Sequence, residues 1–168
     1  PMQVFEEKDL LWQNSTTYKQ LAALIQDLIG TNTVKKVLCF GLGDFCRSAP
    51  EWLKEQHGSW DETSDIENVT GCIIQHSMAI TIAQLCRGNE TVPLLAQDPD
   101  YTELAEKILT KNGFKIVGPH GAGGFAEIDE ESIVISAFAA APVKQIIADL
   151  ARPMLIISTG FNVFNSNE

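Results

Sequence analysis

Lys36-Val37-Leu38-Cys39-Phe40-Gly41-Leu42-Gly43-Asp44-Phe45 is an apolar run of strand character that breaks into Gly-x-Gly and then an acid. A strand covered on both faces reads as continuous apolar residues rather than as an alternation. Glycines directly after it let the chain turn with positive φ, or bring backbone N–H groups against a ligand. The stretch therefore reads as the first strand of a nucleotide-binding α/β domain. A full dinucleotide signature asks for a third glycine near Ser48, where this chain has Cys46-Arg47-Ser48-Ala49, so the pattern departs from an NAD site. The charge of Asp44 beside the turn repels phosphate, which favours a nucleoside without a close phosphate.

Working outward, Ser15 or Thr16 caps a helix with apolar positions Leu21, Leu24, Ile25 and Leu28 and a stop at Gly30, expected to pack on the sheet. Residues 1–33 read as an acidic, helical lead packing on a core domain of residues 34–168. Past the glycine turn, Ser48-Ala49-Pro50-Glu51 opens a short helix to about His57. Residues 57–68, with Asp61, Glu62, Asp65 and Glu67 around Trp60, read as a loop, and residues 70–87 as a long helix ending at Gly88. A second strand over residues 92–97 ends in Asp98; Asp100-Tyr101-Thr102-Glu103 is a capping pattern for a helix to Lys111; a third strand covers residues 114–117. A glycine-rich connection, residues 118–124, leads to strands at residues 132–136 and 154–158 with a helix at 142–150 between them. Apolar strands separated by helices imply an α/β, Rossmann-like fold: a mostly parallel five-stranded sheet with helices on both faces.

Composition narrows the partners. The chain has 168 residues, 22 acidic against 12 basic, a formal charge of −10 and a pI near 4.7. Nucleic acid and anionic membrane surfaces are thereby disfavoured. No apolar run approaches the roughly 20 residues of a membrane span. The first residues, Pro1-Met2-Gln3-Val4-Phe5-Glu6-Glu7, lack the basic and apolar regions of a signal peptide. A cytoplasmic protein, or a nuclear one, is expected, and the start at Pro1 in place of Met leads to the expectation that residues are missing at either end. Cys39, Cys46, Cys72 and Cys86 show no Cys-x-x-Cys spacing and read as free thiols. His57, His76 and His120 are too scattered for a metal site.

The succession has the order of a class I methyltransferase core, with a glycine turn after the first strand and an acid after the second. A more specific resemblance is carried by Val-Leu-Cys-Phe-Gly-Leu-Gly-Asp at 37–44, by residues 75–79, by Gln97-Asp98-Pro99, by Gly124-Phe125-Ala126-Glu127-Ile128-Asp129 and by residues 145–153. In these the chain resembles the SRR-like domain family, named for sensitivity to red light reduced, and especially its fungal members. The resemblance implies a regulatory domain with a Rossmann-like core, acting in light and clock signalling or in control of haem biosynthesis, with a protein partner. It draws Gln75, on a helix, into the site. Where many members carry a Met-Pro-His-Cys-like run after the fourth strand, this chain has Ala137-Phe138-Ala139-Ala140-Ala141-Pro142, and alanine does no acid–base work.

Open parallel sheets bind ligands beyond the carboxyl ends of their strands, where Gly41, Gly43, Asp44, Asp98 and Ser136 converge. Asp98 either accepts hydrogen bonds from ribose hydroxyls or turns the chain with Pro99. His76, on an apolar helix, reads as a packing residue; His120, in the glycine-rich connection, is better placed for chemistry but has no nucleophile beside it. The residues do not identify the cofactor; adenosylmethionine or another nucleoside-type ligand is the candidate they leave. An adenosylmethionine-dependent methyltransferase and a pure protein-interaction module are the alternatives.

Overall fold

A computed structural model of the chain describes residues 1–86, 91–137 and 143–158. Five strands, β1 (Lys36–Phe40), β2 (Leu94–Gln97), β3 (Phe114–Ile116), β4 (Ser132–Ser136) and β5 (Leu155–Ser158), form one sheet in the order β3-β2-β1-β4-β5. Every pairing among the described residues is parallel, as an α/β, Rossmann-like sheet requires. The chain steps outward from β1 to β3 and returns to β4 on the other side of β1. Connections leaving β1 and β4 therefore diverge at the carboxyl edge, where Phe40 lies in register with Gln97 on one side and Ser136 on the other.

The described residues also form six α-helices: α1 (Met2–Gln13), α2 (Thr16–Ile29), α3 (Glu51–His57), α4 (Glu62–Leu85), α5 (Glu103–Lys111) and α6 (Val143–Leu150). Val37, Cys39, Leu94, Ala96, Ile133 and Ile135 face the core built with α1, α2, α4 and α5. Leu38, Phe40, Leu95 and Val134 face the opposite core, with Ile128 and with Val143 and Ile147 of α6. Both faces of every central strand are thus buried, which is why these strands carry no polar alternation. Among the described residues no helix is long and apolar enough to cross a membrane.

Two expectations need correction. The lead of residues 1–33 carries a first helix that starts at Met2: Phe5 and Trp12, seven residues apart, point inward while Leu10 and Leu11 stay exposed. Phe5 packs on Phe45 with ring centroids 5.2 Å apart. The Trp12 Nε1–H donates to Thr81 Oγ1 at 3.0 Å, and that hydroxyl donates to the Ser77 carbonyl at 2.9 Å, so the lead is fastened to α4. In α2, capped by Ser15 through the Tyr18 N–H, the buried stripe is Ile25 and Ile29, and Leu24 and Leu28 face out. Residues 62–68 are not a loop but the start of α4. Asp61 and Ser64 form a capping box there, and the acids of the first turn suit the positive end of the helix dipole. The expected end of that helix at Gly88, and residues 138–142, lie outside the described residues.

Because Phe5 is 1% exposed and Leu11 is 65% exposed, Phe5→Ala should cost about 3 to 5 kcal/mol. Leu11→Ala should cost within about 0.5 kcal/mol. Urea unfolding of both variants checks this; equal midpoints would mean that α1 adds nothing to the core.

Candidate functional site

The turn after β1 takes positive φ at Gly41 (65°) and Gly43 (79°). Its N–H groups are already engaged: Gly41 donates to the Gln97 carbonyl at 3.2 Å and Gly43 to Asp98 Oδ2 at 2.7 Å. A Cβ at Gly43 would also lie 2.5 Å from Cys72 Sγ, so conformation and packing both demand glycine there. Asp98 Oδ1 accepts from the Asp100 N–H at 2.9 Å. Asp44 works in the reverse direction, accepting from the N–H of Cys46 with one oxygen and from the N–H of Thr102 with the other. Both acids are buried, and together they lace the loop after β1 to the loop after β2. Burial raises the Asp98 pKa, with Asp100 and Asp44 adding to the rise and the two N–H bonds opposing it.

His76 lies beneath this lacing. Its Nδ1–H donates to the Cys72 carbonyl at 2.7 Å, and Nε2 accepts from the Tyr101 hydroxyl at 2.7 Å. The carbonyl fixes the tautomer, because a carbonyl oxygen only accepts. Burial lowers the His76 pKa to about 4 and pushes that of Tyr101 well above its usual value. The imidazole is therefore neutral and both its nitrogens are occupied, the mark of a packing residue. The Cys72 thiol is pushed up to about 12, chiefly by burial, and stays protonated.

Above the turn opens a cavity of about 710 Å³, bounded by Phe40, Gly41, Gly43 and Asp44, by Gln97 to Asp100, α3, the first turns of α4, Pro119 to Gly121 and Val143. Its size is that of a small-molecule site. Phe40 and Phe125 stack in one wall, centroids 4.4 Å apart and planes 11° from parallel. Trp52 and Trp60 line the cavity as well. Asp65 positions Trp60: its carboxylate accepts from Trp60 Nε1–H at 2.9 Å, Ser48 Oγ at 3.0 Å and the Ala49 N–H at 3.2 Å. These bonds, the indole's first, hold Asp65 below the usual carboxylate range. At the rim the Gln97 amide pins the glycine-rich connection, accepting from the Gly124 N–H at 2.9 Å and donating to the Gly121 carbonyl at 3.1 Å. A Cβ at Gly124 would sit 2.6 Å from that amide oxygen and 2.7 Å from Phe40.

Of the residues expected from the sequence, Gly41, Gly43, Asp44 and Asp98 line the cavity, and exposed His120 stands at its rim. Ser136 is paired between Phe40 and Ser158, and Ser136 and Gln75 are not among the described lining residues. Gln75, on α4, keeps its Oε1 buried without a partner among the described residues. Of the alanine run only Ala137 is described; its N–H donates to the Phe40 carbonyl at 3.3 Å. Gln97 and Phe125 shape the site and Trp52 lines it, and nothing at these positions in the sequence alone marks these roles. The run of glycines at 118–124 was the available signal, since such a segment needs an outside anchor. Among the described residues no group of three or more His, Cys, Asp or Glu is placed to hold a metal ion. The arrangement is suited to holding a flat, partly apolar molecule.

The His76 environment has a pH signature. With a pKa near 4 folded against 6.5 unfolded, the unfolded chain takes up the proton first as pH falls. Stability should thus drop by about 3 kcal/mol in all between pH 6.5 and pH 4. His76→Gln, which keeps a donor and an acceptor, should flatten that segment of a urea-midpoint profile. An unchanged profile would place the pH dependence elsewhere.

Compared with protein families, the chain matches the model of the SRR1 domain over residues 17–168. No curated protein and no solved structure matches it. The family match takes in the whole sheet, the glycine turn and every residue named above as lining the cavity, and it covers well over half of the sequence: the chain belongs to the SRR1 domain family.

Proposed function

We propose that this SRR1 domain protein is a regulatory protein whose cleft, at the carboxyl edge of the sheet, binds a nucleoside-type small molecule. Its setting would be signalling, clock or haem-biosynthesis control in the cytoplasm or nucleus, as the family resemblance implies, with a protein partner reading the bound state. The likeness to fungal members and the division into a lead of residues 1–33 and a domain of residues 34–168 are parts of the same proposal.

The observation that carries it is the cavity itself. About 710 Å³ opens at the point where the strand order reverses, beside a stacked pair of phenylalanine rings and two acids. That edge is where open parallel sheets take their ligands, and an aromatic wall suits a base, whose flat face it stacks against. The engaged N–H groups of Gly41 and Gly43 offer no nest for a phosphate, in keeping with a nucleoside rather than a dinucleotide. The acids serve the turn first, and each carboxylate oxygen retains a second lone pair for a ligand hydroxyl.

Calorimetry with adenosylmethionine, adenosylhomocysteine, NAD and ATP tests the proposal. At least one nucleoside without a phosphate close to the sugar should bind saturably. Phe125→Leu, which keeps apolar bulk and removes the ring, should weaken it by about 1 to 3 kcal/mol. No heat with any of the four would leave a pure interaction module as the better reading.

A further inference from the structure

The walls of the cleft differ in charge from those of a nucleotide site. Asp44, Asp98, Asp100 and Glu67 line it, and Arg47 is the one Lys or Arg among the described lining residues. Arg47 does not face a ligand as a free charge, because its guanidinium holds Asp100 Oδ1 at 2.6 Å. The backbone donors that would receive an anion are used as well: Gly43 gives its N–H to Asp98, and Gly41 gives its own to the Gln97 carbonyl. With Arg47 and Asp100 offsetting each other, what remains among the described lining residues is the acids Asp44, Asp98 and Glu67 beside aromatic side chains. A cation is drawn to a ring face by the ring's quadrupole and to buried carboxylates by charge, and the two attractions act together where water is displaced.

We propose that the ligand of this cleft is a cation, a nucleoside-type molecule that carries a fixed positive charge, such as a sulfonium or alkylammonium, beside its flat ring. The proposal rests on the nucleoside reading above and adds the sign of the ligand's charge. Burial and the neighbouring acids already disfavour the charged form of Asp98; a bound cation relieves that penalty and a bound anion deepens it. Glu67, exposed on α4, lines the cavity and takes no part in the hydrogen bonds that lace the loops, so it tunes the charge of the cleft without holding the turn.

Adenosylmethionine and adenosylhomocysteine form the discriminating pair, since they differ by one methyl group and the charge on sulfur. In low-salt buffer the sulfonium should bind about tenfold tighter than the neutral thioether, and about 0.5 M salt should narrow the gap. Glu67→Gln should weaken adenosylmethionine about two- to fivefold and leave adenosylhomocysteine unchanged. ATP should not compete with either. Equal binding of the pair, or tighter binding of the thioether, overturns the cation inference and leaves the nucleoside reading standing. Absence of binding by every nucleoside overturns that reading and this inference with it. Should Glu67→Gln lose its fold by circular dichroism, the salt dependence of the wild-type pair still decides, because a preference indifferent to salt contradicts a charge-based origin.

Discussion

The hydrogen bond from the Gly43 N–H to Asp98 Oδ2, 2.7 Å long, joins the loop after β1 to the loop after β2, and Asp44 returns the tie through the Thr102 N–H. A bond to an ionised acceptor contributes about 1.5 to 3 kcal/mol, more than a neutral one. A buried carboxylate without such partners would instead be strongly destabilising. The two acids are therefore tolerated inside because they organise backbone, and the backbone stays in place because they are there. Thr102 links this lacing onward: its N–H is held by Asp44 while its own hydroxyl caps α5 through the Ala105 N–H. The neutral His76, bridging Cys72 of α4 to Tyr101, supports the junction from below.

What the sequence made legible follows from which forces are local. Strands β1 and β4 were readable because both faces are buried, so Val37 to Phe40 and Ile133 to Ile135 admit no polar residue. The Ser15 cap and the Gly30 stop were readable because capping is settled within a single turn. The bounds and packing of α1 were not, since its inward stripe is only Phe5 and Trp12, set among outward-facing leucines, and its anchor is Thr81, 69 residues away. The start of α4 was misread because an acidic stretch looks solvated, although acids at a helix start are stabilised by the exposed N–H groups.

The site divides along the same line. Gly41, Gly43, Asp44 and Asp98 could be placed at the cleft because strand order alone puts the ends of β1 and β2 side by side. Their roles were not visible, since a carboxylate that turns the chain and one that meets a ribose carry the same letter. Gln97 is clearer still: its partners are Gly121 and Gly124, 24 and 27 residues on, and nothing in its own neighbourhood announces them. Trp60 could be noticed as a tryptophan among acids, but that Asp65 aims it into the cavity is a fact of α4 beginning at Glu62.

One donor serves one strong acceptor, and this fixes what the Gly-Leu-Gly-Asp turn can offer. In a phosphate-binding turn the glycine N–H groups point at the ligand and the protein supplies few acceptors nearby. Here Asp98 occupies the Gly43 N–H from within. For a phosphate to take that donor, the carboxylate would have to withdraw, and its withdrawal would loosen the tie that keeps the loop after β2 beside the loop after β1. Anion binding at this turn is thus opposed twice, by repulsion from Asp44 and Asp98 and by competition for the same N–H. The acids that hold the turn also line the cavity, so the fold and the charge of the cleft's walls rest on the same atoms.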